Sequence, residues 1–503
     1  MMKKNFTLLL VALAVVTARA TDYNVPITVI VNGESSEQTG TITIVENGGL
    51  YDLTMKNFVL QSENGPMGVG NVDLKGIDAC QDGDATLLLA SKQVTITNGD
   101  DPSVPFWMGS MLPPVPVDLR GKIEGDRLRC FIDINLQEAL GQVIQVAIGA
   151  GYQLSNPSFE SWHTSTGSYV EPNGWHSFES ATGSLASMAG HHIEKSADAH
   201  SGQASARIYA TSIFGIVANG TMTTGRMNAG SMSASDKANN AYLDTSLTDV
   251  DGNGDPFYMP LYSRPDSVAV WVKFKQGKAN SAHPYATVSA VITDGTYYQD
   301  PEDKTYTNFV AKAKNNTIAT TGGKWVRITA PFVYTENAAN PQAALITIST
   351  NADAGQGSAN DEVLVDDIAF VYNARLAALK IKGHNVPGFS PDKTEYEMEL
   401  NEEVTADDIE VTFDGKATHI VKSIDVDGDY YVCKLVAIGA DMSAMTTYVV
   451  RVKSTTTAVS SLPAAVAAPA AYYTLDGRRA RTLVPGRIYI SRQADGKTVK
   501  SVR

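Results

Sequence analysis

Between Thr21 and Gly151 apolar and polar residues alternate with a period of two. Ile42 and Ile44 oppose Thr41 and Thr43, Val94 and Ile96 oppose Thr95 and Thr97, and Ile132 and Ile134 flank Asp133. Successive side chains of an extended chain point to opposite faces, so this pattern predicts short strands with one buried face. Asn32-Gly33, Asn47-Gly48, Asn64-Gly65 and Asn98-Gly99 supply the positive φ that tight hairpins need, and strands at this spacing predict an up-and-down barrel. Asn135-Leu-Gln-Glu138 reads as a capping box, with Gly141 ending one helical turn before a last strand, Val143 to Ile148.

The alternation resumes further along the chain. In Val268-Ala-Val270-Trp271-Val272-Lys273-Phe274-Lys275 the residues Val268, Val270, Val272 and Phe274 form one face, while Trp271, Lys273 and Lys275 form the other. The same rule groups Trp325 with Arg327, opposite Val326 and Ile328, and Tyr285 with Thr287. After Asn373 come more charged, tightly alternating strands, with Asp425-Val-Asp427-Gly428-Asp429 as a hairpin turn. Ser460 to Ala471 is Ala/Pro/Ser-rich and reads as a linker. The predicted fold class is therefore all-β throughout.

Composition narrows the function classes. The 503-residue chain carries a formal net charge of -14, which repels phosphate backbones and anionic lipid and argues against nucleic-acid and membrane-surface partners. Lys3 and Lys4, the apolar run Leu8 to Val16 and Ala18-Arg19-Ala20 form a signal peptide over residues 1–20, so export to the periplasm, cell surface or medium is expected. No later stretch is long and apolar enough for a transmembrane segment. Of the three cysteines, Cys80 and Cys130 are placed to pair within one domain, while Cys433 stands alone.

Two short brackets, Asn156-Pro-Ser-Phe159-Glu160 and Val365-Asp366-Asp367-Ile368-Ala-Phe370, enclose Trp162, Trp175, Trp271 and Trp325. This layout resembles the jelly-roll carbohydrate-binding modules, and more closely the carbohydrate metabolism domain of Bacteroidetes surface proteins. Residues 152–373 are assigned to it. The run Asp100 to Leu119, with Phe106, Trp107 and Met111, resembles the calycin-like β-barrel domain, which fits residues 21–151. The resemblance implies a small apolar ligand in the barrel mouth, but filling by the barrel's own side chains is the expected alternative. Residues 374–454 are similar to cadherin-like or immunoglobulin-like β-sandwiches, residues 455–471 are the linker, and residues 472–503 look like a short C-terminal sorting domain of type IX secretion.

A sugar ring offers a C–H face and a hydroxyl rim, so its binding surface needs flat aromatics with polar neighbours. Trp271, Tyr285, Trp325, Arg327 and Lys273 are the candidates for a poly- or oligosaccharide partner, while Trp162 and Trp175 are expected to close the core. Arg264-Pro265 is expected to set the entry of the strand that carries Trp271. By the jelly-roll resemblance, Glu160 with Asp366 or Asp367 are candidate ligands of a structural calcium ion that would staple the chain ends of the sandwich. Asp249-Val-Asp251-Gly-Asn253-Gly254-Asp255 matches half of a calcium loop, but Pro260 occupies the twelfth position and a polar loop is the expectation. The histidines His163, His176, His191, His192 and His200 lack a metal-binding spacing and are expected in loops. No catalytic set is legible. The reading is an exported, modular glycan-binding protein; the alternatives are a glycan-active hydrolase, which the resembled domain's name alone suggests, and a structural adhesion protein.

Overall fold

The computed structural model describes residues 19–31, 34–60, 66–165, 167–336, 339–416, 418–454, 471–473, 488–492 and 498–502. The expected signal-peptide core, the Asn32-Gly33 and Asn64-Gly65 turns, nearly all of the linker and most of the C-terminal tail lie outside them. Their regular secondary structure is almost entirely β. None of their helices is long and apolar enough to cross a membrane.

Eight consecutive antiparallel strands, from Arg19–Val31 to Gln142–Ile148, close into a barrel. Closure is made where Ile27 to Val31 pair with Ile148 to Ile144. The alternating apolar set points inward as the pattern requires: Ile27, Ile42, Ile77, Leu88 and Cys130 are among the fully buried side chains that fill the lumen. Two local expectations need correction. Asn98-Gly99 is not a hairpin turn, because the chain runs on from Val94 in a long loop to Val115, and Asn98 instead accepts hydrogen bonds from Ser110 and Asn71. The short helix is Gln137–Leu140; Asn135 Oδ1 accepts from the Gln137 N–H without a capping box, and Gly141 ends the helix at φ +68°.

Trp107 bridges Gly68 through its backbone and packs so closely on Gly99 that a Cβ there would collide with its ring. Phe106 and Met111 point to solvent. Cys130 is a free thiol in the lumen, whereas Cys80 packs with Leu87 and Phe131 in a separate cluster, so the two do not form a disulfide.

The central unit is a two-sheet sandwich. One sheet has five strands, in spatial order Ile193–Ser196, Ser205–Tyr209, Glu362–Val371, Ser267–Lys275 and Val326–Pro331. The facing sheet is built on Thr221–Thr223, Ala343–Ser349, Ala286–Thr293, Phe309–Ile318 and Val333–Tyr334, with Met259–Pro260 added beside Ala343–Ser349. Val268, Val270, Val272 and Phe274 meet Ala286, Val288, Ala290 and Ile292 in the core between them. Trp175 is wholly buried against Phe159, with ring centroids 5.3 Å apart, and Trp162 packs on the same core. The two brackets touch, since the Ile368 N–H donates to the Pro157 carbonyl.

A second sandwich follows, with a three-stranded sheet around Leu376–Ile381 and a four-stranded sheet in which Glu395–Leu400 runs parallel to Met445–Ser454. Gly428, at φ +60°, makes the expected turn between Thr418–Asp427 and Tyr430–Gly439. The barrel is locked to both sandwiches at one junction. Buried Arg129 donates from Nε to the Asp441 carbonyl at 2.9 Å and lies over the Tyr152 ring, while Arg120 donates to the Met442 carbonyl at 2.8 Å. Leu87 and Phe131 pack on Ile438 and Met442 beside them.

Candidate functional site

Strand register decides which of the sequence candidates meet. Trp271 lies across from Arg327 on neighbouring strands of the five-stranded sheet, on its outer face. The Lys273 ammonium sits 5.0 Å from the Trp325 ring centroid and pairs with Asp198 at 2.6 Å. Trp271, Lys273, Trp325 and Arg327 therefore do come together. Tyr285 does not join them, because it leads into Ala286–Thr293 in the opposite sheet. The His200 imidazole is stacked on Trp271, centroids 3.8 Å apart and planes 15° from parallel, so this aromatic face is already covered by the chain's own loop. The Trp325 indole nitrogen is buried with no acceptor.

The same loop absorbs the bracket carboxylates. Asp366 Oδ2 accepts the His200 and Ser201 N–H groups at 2.7 and 3.2 Å, and Asp367 meets the His200 ring and the Ser201 hydroxyl at 2.5 and 2.7 Å. Glu160 accepts the Gln203 and Ala204 N–H groups at 2.9 and 3.1 Å. Gly202 between them stands at φ +64°, and a Cβ there would strike the Glu160 carboxylate. The brackets are thus stapled through protein donors to the segment from His200 to Ala204, and the geometry adds no independent support for calcium at Glu160, Asp366 and Asp367. Burial, with the Asp367 charge adding to it, pushes the Asp366 carboxyl up to about 7, against the opposing pull of its backbone hydrogen bonds.

The open concavity lies on the other sheet. Alternation there sends Ala286, Val288, Ala290 and Ile292 to the core, so Thr287 and Ser289 face outward; Ala344, Ile346 and Ile348 likewise leave Thr347 and Ser349 outside. Thr287, Thr347, Ser349, Thr221 and the exposed Lys314 floor a cleft of about 490 Å³. Thr287 donates to Asn316 at 2.7 Å and Ser289 to Asp300 at 2.9 Å, so the floor is a hydrogen-bonded hydroxyl surface.

Apolar walls rise around the floor. Phe178, Leu185 and Met188 form one side, and Met227 belongs to the three-stranded sheet Arg226–Ala229, Asn239–Tyr242 and Gln299–Asp300. The hairpin of Thr211–Ile213 and Ile216–Ala218 overhangs, with exposed Phe214 at its tip. Across the small sheet lies a second, polar recess of about 490 Å³ lined by Tyr242, Tyr297, Gln299, Lys237 and Asp303. Asn228, Lys237 and Asn240 line both hollows. The Tyr242 and Tyr297 rings lie 5.7 Å apart at 33°.

Two amides along the cleft are left with an unused acceptor. Asn240 donates through Nδ2 to the Lys237 carbonyl at 2.8 Å, which turns its Oδ1 the other way, buried and without a partner. Asn219 donates to the Asp353 carbonyl at 3.1 Å and its Oδ1 is likewise unpartnered. Ionised groups on the main cleft balance, Lys237 and Lys314 against Asp300 and Asp353. A neutral ligand rich in O–H donors complements this surface better than a polyanion.

Sequence reasoning missed this cleft because it sought aromatic sidedness. The available signal was the small hydroxyl residues at alternate positions in Thr287-Val-Ser289 and Thr347-Ile-Ser349. The walls come from irregular segments whose return over the sheet has no local signature.

The architecture is thus that of a modular all-β protein with a closed barrel and a clefted sandwich. Residues 20–148 match the family model of the calycin-like beta-barrel domain, and with the closed eight-strand barrel this makes the N-terminal unit a calycin-like barrel. Among curated proteins no relative matches the chain.

Proposed function

We propose that the protein is an exported, modular glycan-binding protein whose ligand lies in the cleft over the hydroxyl floor of the central sandwich. The observation that carries this reading is the floor of Thr and Ser hydroxyls between apolar walls in a cleft of balanced charge. Sugar hydroxyls exchange hydrogen bonds with such a hydroxyl floor. Phe178 and the methionine wall offer apolar contact for C–H faces, and Tyr242 and Tyr297 extend the surface toward a second unit of an oligosaccharide. The sequence resemblance to carbohydrate-binding jelly rolls supports the same ligand class.

Binding without turnover is favoured over hydrolysis. A glycosidase needs two carboxylates flanking the scissile bond, whereas the main-cleft carboxylates are engaged by neighbours, Asp300 by Ser289 and Asp353 by His283 at 2.7 Å. The barrel, the second sandwich and the sorting-like tail serve in this reading as flanking modules at the cell surface. The test is a glycan array probed with the purified full chain, followed by reducing-sugar assays on each hit. Retention of neutral oligosaccharides without sugar release is expected. Absence of retention across host and plant glycans would overturn the reading, and sugar release would convert it to a hydrolase.

A further inference from the structure

The hairpin formed by Trp162–Thr164 and Val170–Pro172 meets the turn from Asp249 to Asp255 around three side-chain atoms with no hydrogen-bond partner. They are His163 Nε2, His176 Nδ1 and Asp251 Oδ2. Both nitrogens lie 3.4 Å from the Asp251 oxygen; the side chains of His176 and Asp251 are 0% exposed and that of His163 is 8% exposed. Glu171, also wholly buried, brings a carboxylate oxygen within 4.8 Å of the His163 and Asp251 ligand atoms.

We propose that His163, Glu171 and Asp251, with His176 beside Asp251 at the edge of the cluster, bind a divalent transition-metal ion, with zinc the best fit, in a closed structural site. The geometry argues against a bare ion pair. A charge-assisted N–H···O bond contracts to about 2.7–2.9 Å, and neither histidine approaches Asp251 that closely. Ligand bonds of about 2.0–2.2 Å around a tetrahedral centre put neighbouring donor atoms about 3.3–3.6 Å apart, which is the spacing seen from Asp251 Oδ2 to each histidine nitrogen. Two imidazoles with two carboxylates select zinc and its neighbours over calcium or magnesium, which take oxygen shells.

Hydrogen bonds orient His163, Asp251 and Glu171, whereas neither ring nitrogen of His176 has a partner. His163 Nδ1 meets Asn173 Oδ1 at 3.1 Å, and since that oxygen only accepts, the proton sits on Nδ1 and the Nε2 lone pair faces Asp251. Asp251 Oδ1 is occupied by the Asn253 and Asp255 N–H groups at 2.8 and 2.9 Å, leaving Oδ2 for the centre. Glu171 is held by the Ser177 N–H and hydroxyl at 2.5 and 2.6 Å and by the Ser165 hydroxyl at 3.2 Å.

Such an ion would clip the opening hairpin to the Asp249–Asp255 turn immediately before Phe178, where the cleft wall begins. The inference does not rest on the glycan reading.

The test uses the full chain, stripped with chelator and titrated with zinc and with cobalt against a chromophoric competitor. One equivalent of each is expected, with the intense visible bands of tetrahedral cobalt and a higher Tm in zinc. His163→Gln and Asp251→Asn should each weaken uptake by about 100-fold or more; if neither folds, Asn173→Ala should weaken it by about 10–100-fold. Stripped, folded protein that takes up neither ion would overturn the assignment, as would uptake indifferent to these variants. Stoichiometric calcium binding that His163→Gln abolishes would overturn the choice of metal.

Discussion

At the scale of single residues, Asp366 has the clearest pH signature. Its folded-state pKa of about 7 lies above the ordinary value of 3.8, so between these values the folded state binds more protons than the unfolded one. Stability from this group is complete below about pH 4 and is lost as pH rises to about 7. The groups that face it are Asp367 and the His200 loop. Asp366→Asn should therefore flatten the decline of Tm across that window, read by thermal melts of the full chain. An unchanged pH profile would mean that the carboxylate ionises at its ordinary pKa. A calcium ion bound at the brackets would show itself as the opposite trend, since it stabilises the ionised form.

At the scale of elements, period-two alternation made the strands legible. Ile42 and Ile44 in the barrel, and Val268, Val270, Val272 and Phe274 in the sandwich, point inward where the pattern put them. It also brought Trp271, Lys273, Trp325 and Arg327 to one face. Alternation carries no information about which sheet a strand enters, and that is why Tyr285 was grouped with Trp271 although Ala286–Thr293 lies in the opposing layer. Nor does it tell a free aromatic from one covered by a distant loop, and His200 on Trp271 is such a cover. The buried cluster was hidden for a related reason. His163, His176 and Asp251 belong to three separate segments with no helical spacing, and only the Asp249–Asp255 turn, readable as half a calcium loop, gave a sign of ligand chemistry.

At the scale of the whole molecule, the barrel and both sandwiches share the junction around Arg129, Tyr152 and Asp441. Burial depresses the pKa of Arg129, and its guanidinium donates to the carbonyls of Asp441 and Gly149. Arg129→Ala leaves those acceptors without a donor, at a cost of about 2–3 kcal/mol. Denaturant melts should then resolve an early transition in which the barrel separates; a single transition at the wild-type midpoint would mean that the junction adds nothing. The central claim, that the cleft holds the glycan, is tested most directly by calorimetric titration of an array-positive oligosaccharide into paired variants. Lys314→Ala and Tyr297→Ala, both at exposed positions of the two recesses, should each weaken binding about tenfold, which is about 1.4 kcal/mol, with Tm unchanged, while Trp271→Ala should leave affinity intact. Binding abolished by Trp271→Ala at unchanged Tm and untouched by the two cleft variants would contradict the account and return the site to the five-stranded sheet.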